Sequence, residues 1–341
     1  MDRVAGISIF ALTALVFFAG GVMLSPHIVS MVTGQDQMAA ALVPTRLKQT
    51  EYPLINPLLL CDVGNSAEST QNQDLRSVIL AFINDRITQG KASQMSVYLQ
   101  RYGGGGWVGI NEDVPYTPAS LLKVPLMIAY YKIAEDNPSF LDQRISFKGT
   151  DQNSSEYFKS GNNIRAGATY SIEDLIQHMI GGSDNTATAL LQDAMASTTR
   201  EDTYRDLGLP TPPTDASAEY MSVKNYAYFF RLLYNATYLN REYSEKALKH
   251  LTDVDFVQGI RAGVPLSVPV AQKFGERTVS NTDGTVLRRE LHDCGIVYKK
   301  GSNYLLCIMS RGKDFDQLAK NISDLSALVY TLVTPPPVPT N

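Results

Sequence analysis

A serine and a lysine stand at the start of an apolar segment where hydrophobicity alone would not place them. Ser120 and Lys123 lie three positions apart in the stretch YTPASLLKVPLMIAYYKIA. On a helix, this spacing puts both side chains on one face, one turn apart. A lysine whose pKa is lowered by burial can accept a proton from a serine hydroxyl, which makes the serine a nucleophile. The pair therefore indicates acyl-transfer chemistry at the start of a buried helix.

The Ser-x-x-Lys spacing is not specific by itself. A second example, Ser310 and Lys313, lies at a predicted strand end, where the two side chains need not meet. At the first pair, Ser120 could merely cap the helix while Lys123 extends its ammonium to solvent. Other motifs must decide between the catalytic and the structural interpretation.

Two later segments carry compatible chemistry. In GGSDNTA, between two predicted helices, the Ser183 hydroxyl can relay a proton and the Asn185 amide can bind a substrate carbonyl. The same residues could also serve only as a helix cap. In VAQKFGE, Lys273 and Gly275 lie on a predicted strand, and the glycine would let a substrate backbone approach closely. Three such motifs in one chain are a more specific signal than any one of them.

The elements that must position these residues follow from hydrophobic periodicity. Predicted strands occur within residues 96–111 and 270–310, and most of the predicted helices lie between these two groups. A closing helix is predicted at 315–333. We therefore expect an α/β protein of the α+β type, in which N-terminal and C-terminal strands form one antiparallel sheet covered by the helical middle.

The three motifs resemble those of the penicillin-recognising serine hydrolases, and residues 75–333 are similar in layout to a class A β-lactamase catalytic domain. The resemblance implies a β-lactamase/transpeptidase-like fold. It also implies that Ser120 is the acylated nucleophile, Lys123 its base and Ser183 a proton shuttle. Asn185 would bind the amide on the acyl side of the substrate, and Lys273 would supply positive potential.

The resemblance further implies an oxyanion hole formed by the backbone N–H groups of Ser120 and Glu276, beside Gly275 in the substrate groove. No metal or organic cofactor is implied. The net charge of −4 gives no basic surplus for nucleic acid. The expected partners are a β-lactam or a peptidoglycan stem peptide.

The sequence departs from the family pattern in its third motif. Phe274 occupies the position where a threonine or serine usually helps to hold the substrate carboxylate. Losing a hydrogen bond to a charged group costs about 1.5–3 kcal/mol. Altered substrate preference is therefore expected.

A second departure concerns hydrolysis of the acyl-enzyme. Class A β-lactamases carry an ExxLN segment after the second motif, and its glutamate activates the hydrolytic water. No such segment lies between Asn185 and Lys273, and Glu219 is interpreted as a carboxylate favoured by a helix N-terminus. The sequence thus predicts penicillin-binding behaviour with inefficient deacylation, although the overall layout favours a β-lactamase. A non-catalytic peptidoglycan-binding module, with Phe274 filling the pocket, is the alternative.

The N-terminal region predicts a membrane attachment. Residues 4–24 are uncharged, apolar and long enough to cross a bilayer. We expect residues 1–24 to be a retained anchor or a cleaved signal, followed by a spacer at 25–74, the catalytic domain at 75–333 and a proline-rich tail at 334–341. The catalytic domain would then face the periplasm or the cell surface.

The three cysteines are too few and too scattered for a metal site. Beyond Cys61, which precedes the domain, the other two lie on predicted paired strands. A turn at Gly301 and Ser302 would place Ile296 opposite Cys307 and leave Cys294 diagonal to it. A direct Cys294–Cys307 bridge is therefore not expected.

Four other residues have open interpretations. His292 is expected to be an ordinary residue at a strand start. Tyr157 and Phe158 could line the mouth of the site or pack within a loop, and Arg277 could meet a substrate carboxylate or remain solvated.

Overall fold

The computed structural model describes residues 46, 51–57, 72–102, 106–215 and 217–333. The predicted anchor at 1–24, Cys61 and the tail at 334–341 lie outside these ranges, as does most of the predicted spacer. Among the helices within the ranges, none has the length and apolarity needed to span a bilayer.

Nine strands occur in the described residues: β1 (Gln94–Arg101), β2 (Trp107–Ile110), β3 (Pro115–Tyr116), β4 (Arg144–Ser146), β5 (Thr169–Ser171), β6 (Met221–Ser222), β7 (Val270–Ser280), β8 (Val286–Val297) and β9 (Tyr304–Gly312). Five of them form an antiparallel sheet in the order β2-β1-β9-β8-β7. β1 pairs with β9 along its whole length, so strands from both ends of the domain share one sheet. This architecture confirms the predicted α+β class.

Eight α-helices accompany the strands in the described part of the chain: α1 (Gln73–Thr88), α2 (Lys123–Asp136), α3 (Ile172–Gly181), α4 (Asn185–Ala194), α5 (Ser197–Asp206), α6 (Val223–Asn235), α7 (Arg241–Thr252) and α8 (Phe315–Leu332). Side chains alternate across the sheet, so Val97 and Leu99 share a core with α1 and α8, whereas Tyr98 joins the core of the middle helices. The sheet is therefore a central layer with helices on both faces.

The register of β8 and β9 differs from the prediction. Cys294 lies directly opposite Cys307, and Ile296 lies opposite Leu305. The two cysteines are joined in a disulfide. The prediction was wrong by two residues because the connection runs from Tyr298 to Asn303, with its turn closed by the Ser302 N–H donating to the Lys299 carbonyl.

Glu219 was also interpreted wrongly. Its carboxylate lies 2.5 Å from Arg288 Nη2 and 2.8 Å from Arg311 Nη2, which project from β8 and β9. Its partners are therefore two guanidinium groups of the sheet rather than the N-terminus of α6.

Gly263 lies so close to α8 that there is no room for a side chain at this position. A Cβ atom there would lie 2.4 Å from the Ser323 carbonyl oxygen and 2.5 Å from Ser326 Cβ. We expect Gly263→Ala to lower the free energy of unfolding by about 1–3 kcal/mol because the added methyl overpacks this contact. Urea denaturation of the full-length protein measures the change.

Gly161→Ala is the matched control, because a Cβ at Gly161 would meet no heavy atom within 4 Å. Its free energy of unfolding should change by less than about 0.5 kcal/mol. Equal effects of the two substitutions would contradict the packing described for α8.

Candidate active site

Ser120 lies on a short 3-10 helix, Ala119–Leu122, and α2 begins only at Lys123. The predicted helix therefore starts later than expected, but residues three apart still eclipse on a 3-10 turn, so the two side chains share one side. Ser120 is half-buried, and its hydroxyl makes no hydrogen bond to any residue that the structure describes. The hydroxyl is thus available to a substrate.

The backbone that carries Ser120 is strained and firmly held. Ala119 has a left-handed φ of 49°, which is uncommon for a residue with a side chain. On one side, the buried His292 places Nε2 3.1 Å from the Thr117 carbonyl oxygen. On the other, Tyr226 donates its hydroxyl hydrogen to the Leu121 carbonyl at 2.9 Å. These contacts stabilise the turn that presents the serine.

His292 lies inside β8 rather than at a strand start, and it is an internal support. Its Nδ1 accepts the Ser310 N–H at 3.3 Å, so Nε2 carries the hydrogen that is donated to Thr117. Burial lowers the pKa of His292 to about 4, which keeps the ring neutral.

The second Ser-x-x-Lys motif does not bring its serine and lysine together. Ser310 is buried within β9 and donates to the Leu291 carbonyl, whereas Lys313 is exposed.

Lys123 is almost completely buried, with 3% of its surface exposed. Its Nζ donates to the Ser183 carbonyl, to Ser183 Oγ at 3.1 Å and to Asn185 Oδ1 at 2.8 Å. Burial lowers the pKa of Lys123 from 10.5 to about 8, against the opposing charges of Glu156, Asp184 and Glu276. A minor neutral fraction is therefore present near neutral pH, and this neutral form can act as a general base.

Ser183 lies at the junction of α3 and α4, and its hydroxyl is shared by two lysines. Lys273 Nζ donates to Ser183 Oγ at 2.9 Å and lies over the Phe274 ring, 4.3 Å from its centroid. Burial, followed by the charge of Lys123, holds the pKa of Lys273 well below its ordinary value. Because Oγ accepts from both ammonium groups, its own hydrogen remains for a third partner.

The segment Ser183–Asn185 is held in place by several capping hydrogen bonds. Asp184 accepts the N–H groups of Thr186 and Ala187 and so caps α4, while its other oxygen accepts the Ile164 N–H at 2.7 Å. Ser183 has a left-handed φ of 55°. The expected capping role therefore belongs to Asp184, and it leaves Ser183 and Asn185 to face the lysines.

Gly275 permits a close approach, but to the protein itself. A Cβ atom at this position would lie 2.8 Å from the Pro118 carbonyl oxygen and 3.1 Å from the Leu121 nitrogen. The glycine thus lets β7 lie against the 3-10 helix that carries Ser120.

Phe274 does not close the cavity next to Ser120. Its ring stacks on Phe256 with centroids 4.2 Å apart and meets Phe158 edge-on at 6.1 Å. This aromatic cluster borders a neighbouring cavity of about 340 Å³, which Tyr157 also lines. The position therefore offers a phenyl ring in place of a hydroxyl, while Ser120 still faces an open cavity.

The cavity beside Ser120 has a volume of about 240 Å³ and is lined by Ser120, Ser155, Glu156, Asn185, Glu276, Arg277, Thr278 and Phe315. It brings together predicted residues from all three motifs. Glu156 was missed by the sequence analysis, because no motif marks it within the polar segment between β4 and β5. Its Oε1 accepts the Asn185 Nδ2 hydrogen at 2.9 Å.

Glu276 has a side-chain role that was not predicted. Its two oxygens accept the N–H groups of Tyr157 at 2.5 Å and Phe158 at 3.1 Å. Burial raises the pKa of this carboxyl. The contact ties β7 to the loop that carries Glu156.

We expect Glu276→Ala to release this loop, because both backbone donors lose their acceptor. Hydrogen exchange followed by mass spectrometry should show faster exchange at Tyr157 and Phe158. Glu219→Ala is the control, because that glutamate pairs with guanidinium groups of the sheet. Unchanged exchange in Glu276→Ala, or equal acceleration in both variants, would contradict the proposed tie.

Solved structures with this fold include PBP-A, with a TM-score of 0.63 and 17% identity over 79% of this chain and 98% of that chain. A PBP-A mutant in an acyl-enzyme complex with penicillin G has the same values. A β-lactamase from Sphaerobacter thermophilus has a TM-score of 0.61 and 21% identity over 76% of this chain and 98% of that chain. A class A β-lactamase from Mycobacterium abscessus has a TM-score of 0.60 and 18% identity over 75% and 98%, respectively.

No curated protein matches the sequence significantly. Residues 79–333 match the profile of the Beta-lactamase enzyme family. Because this match covers most of the chain, the protein belongs to the β-lactamase enzyme family, whose members are of the serine hydrolase type.

Proposed function

We propose that the protein is a serine acyl-transfer enzyme that acts on β-lactams or on D-Ala-D-Ala-type peptides of the cell wall. The observation that carries the proposal is the hydrogen-bonded set of Lys123, Ser183 and Lys273 next to the Ser120 cavity. A structural cap does not need two buried lysines that donate to one hydroxyl. A set of groups that passes protons on does need such closely spaced donors and acceptors.

In the acylation step, neutral Lys123 accepts the proton of Ser120 while Oγ forms a bond to the substrate carbonyl carbon. The amide C–N bond then breaks, and the leaving nitrogen takes a proton from the Ser183 hydroxyl. Ser183 is reprotonated by Lys123 or Lys273, both within hydrogen-bonding distance. Protons are conserved over the step, and the product is an ester at Ser120.

Three groups are proposed to bind the substrate during this step, two backbone N–H groups and one side-chain amide. The backbone N–H groups of Ser120 and Glu276 would stabilise the oxyanion. Asn185 uses its oxygen to hold Lys123 and directs its NH₂ group toward the cavity side, where Glu156 accepts one hydrogen. The second hydrogen of that group would bind the acyl-side amide of the substrate.

The third motif bears on the choice of substrate. Phe274 cannot donate to a carboxylate, and the loss of such a bond weakens binding by about 1.5–3 kcal/mol. Lys273 and Ser183 still place positive potential and a hydroxyl beside the nucleophile. Slow acylation by penicillins is therefore compatible with the site, and a peptide with other contacts could be preferred.

The alternative, a non-catalytic binding module, receives less support from the structure. That alternative relied on Phe274 filling the pocket, yet the ring packs against Phe256 and lines the neighbouring cavity. The open Ser120 cavity favours the enzyme.

We propose an extracytoplasmic location for the catalytic domain. Peptidoglycan and β-lactams are met outside the cytoplasm, and the apolar stretch at 4–24 supports membrane attachment. The Cys294–Cys307 disulfide is compatible with an oxidising compartment.

Intact-protein mass spectrometry with benzylpenicillin tests the proposal. In samples quenched soon after mixing, we expect full-length wild type to gain the mass of one penicillin and Ser120→Ala to gain none, because acylation requires that hydroxyl. Ser310→Ala, which removes the buried serine of the other Ser-x-x-Lys pair, should still form the adduct. An adduct on Ser120→Ala, or none on the wild type with either the penicillin or a D-Ala-D-Ala peptide thioester, would overturn it.

A further inference from the structure

Two glutamates line the Ser120 cavity, and they differ in how many of their carboxylate oxygens already accept hydrogen bonds. In Glu276, both oxygens accept backbone N–H groups. In Glu156, Oε1 accepts from Asn185, whereas Oε2 has no hydrogen-bond partner among the residues that the structure describes. The carboxylate can therefore accept a further hydrogen bond from a molecule inside the cavity.

The loop around Glu156 is held on both sides. Before it, the buried Asn153 accepts the Asn185 N–H at 2.7 Å and donates to Asp184 at 3.0 Å. After it, the N–H groups of Tyr157 and Phe158 are bound by Glu276. The glutamate is thus positioned by contacts to the second and third motifs, which fix its distance from the nucleophile more firmly than a free loop would.

The electrostatic setting suits proton transfer. Glu156 is half-buried, and burial raises its pKa to about 7, against the charges of Lys123 and Lys273. The cavity of about 240 Å³ has room for several waters, each of which occupies about 30 Å³ in the liquid. A carboxylate with these properties can remove a proton from a water molecule near neutral pH.

The segment between the second and third motifs offers no comparable group. Of its glutamates, Glu201 is exposed on α5, Glu219 pairs with Arg288 and Arg311, Glu242 is exposed on α7 and Glu245 binds the N–H groups of Leu54 and Ile55. None of these four lines the Ser120 cavity.

We propose that Glu156, which precedes the second motif, is the general base that activates water for hydrolysis of the Ser120 acyl-enzyme. The inference rests on the proposed function. Glu156 takes a proton from water as the water oxygen bonds to the acyl carbon, and the Ser120 Oγ–C bond then breaks. The proton returns from Glu156 to Ser120 Oγ, directly or through Lys123, so the products are the free acid and the regenerated serine. The proposal changes the expectation from sequence, because the missing ExxLN segment no longer requires a long-lived adduct.

The test measures formation and loss of the benzylpenicillin adduct separately, by quenched-flow intact mass spectrometry of the full-length protein. Glu156→Gln keeps an oxygen for Asn185 but removes the base. We expect the adduct to form within about tenfold of the wild-type rate and to be hydrolysed at least 100-fold more slowly. Below pH 7, wild-type hydrolysis should slow as Glu156 is protonated, whereas the residual rate of Glu156→Gln should not show this dependence.

Two further variants keep the test decisive. Glu156→Asp retains a carboxylate withdrawn by one methylene, so partial recovery of hydrolysis distinguishes a base from a merely structural group. Glu201→Gln removes an exposed carboxylate from the segment after the second motif and should leave both rates unchanged.

Equal hydrolysis by wild type and Glu156→Gln, or a wild-type adduct that persists, would overturn the role of Glu156 while leaving acylation at Ser120 intact. Absence of any adduct on either protein would instead overturn the proposed function, and this inference with it.

Discussion

Two buried ammonium groups that share one hydroxyl are the interaction on which the site depends. Lys123 and Lys273 approach Ser183 Oγ at 3.1 and 2.9 Å from different elements. Two like charges so close in a buried site repel each other, and burial further disfavours both. The neighbouring carboxylates offset only part of this cost. Repulsion and burial therefore favour the neutral form of a lysine. A neutral lysine is the form that can accept a proton from a serine.

Contacts that take no part in the proposed reaction hold the two lysines and Ser183 in place. Lys273 comes from the edge strand of a sheet assembled from both ends of the domain, and Gly275 lets that strand lie against the Ser120 turn. His292 supports the same turn from β8. A small shift of β7 would therefore move Lys273 away from Ser183 and from the turn that carries Ser120.

Much of the site could be predicted because its key residues are local motifs. Ser120 and Lys123 are one turn apart, and periodicity alone indicated the shared sheet. The register of Cys294 and Cys307 could not be predicted, because it depends on how many residues the turn contains. Glu156 and Glu219 depend on tertiary partners: one faces the cavity through Asn185, and the other is held by two arginines distant in sequence. Spacing along the chain contains no signal for either contact.

The most direct test is the ionisation of Lys123 itself, observed by NMR of the full-length protein labelled with ¹⁵N at lysine Nζ. One resonance should titrate with a midpoint near pH 8 and disappear in Lys123→Met, while exposed lysines titrate near 10.4. A Lys123 resonance that remains protonated up to about pH 10 would contradict the account, because the buried pair would then supply no base for Ser120.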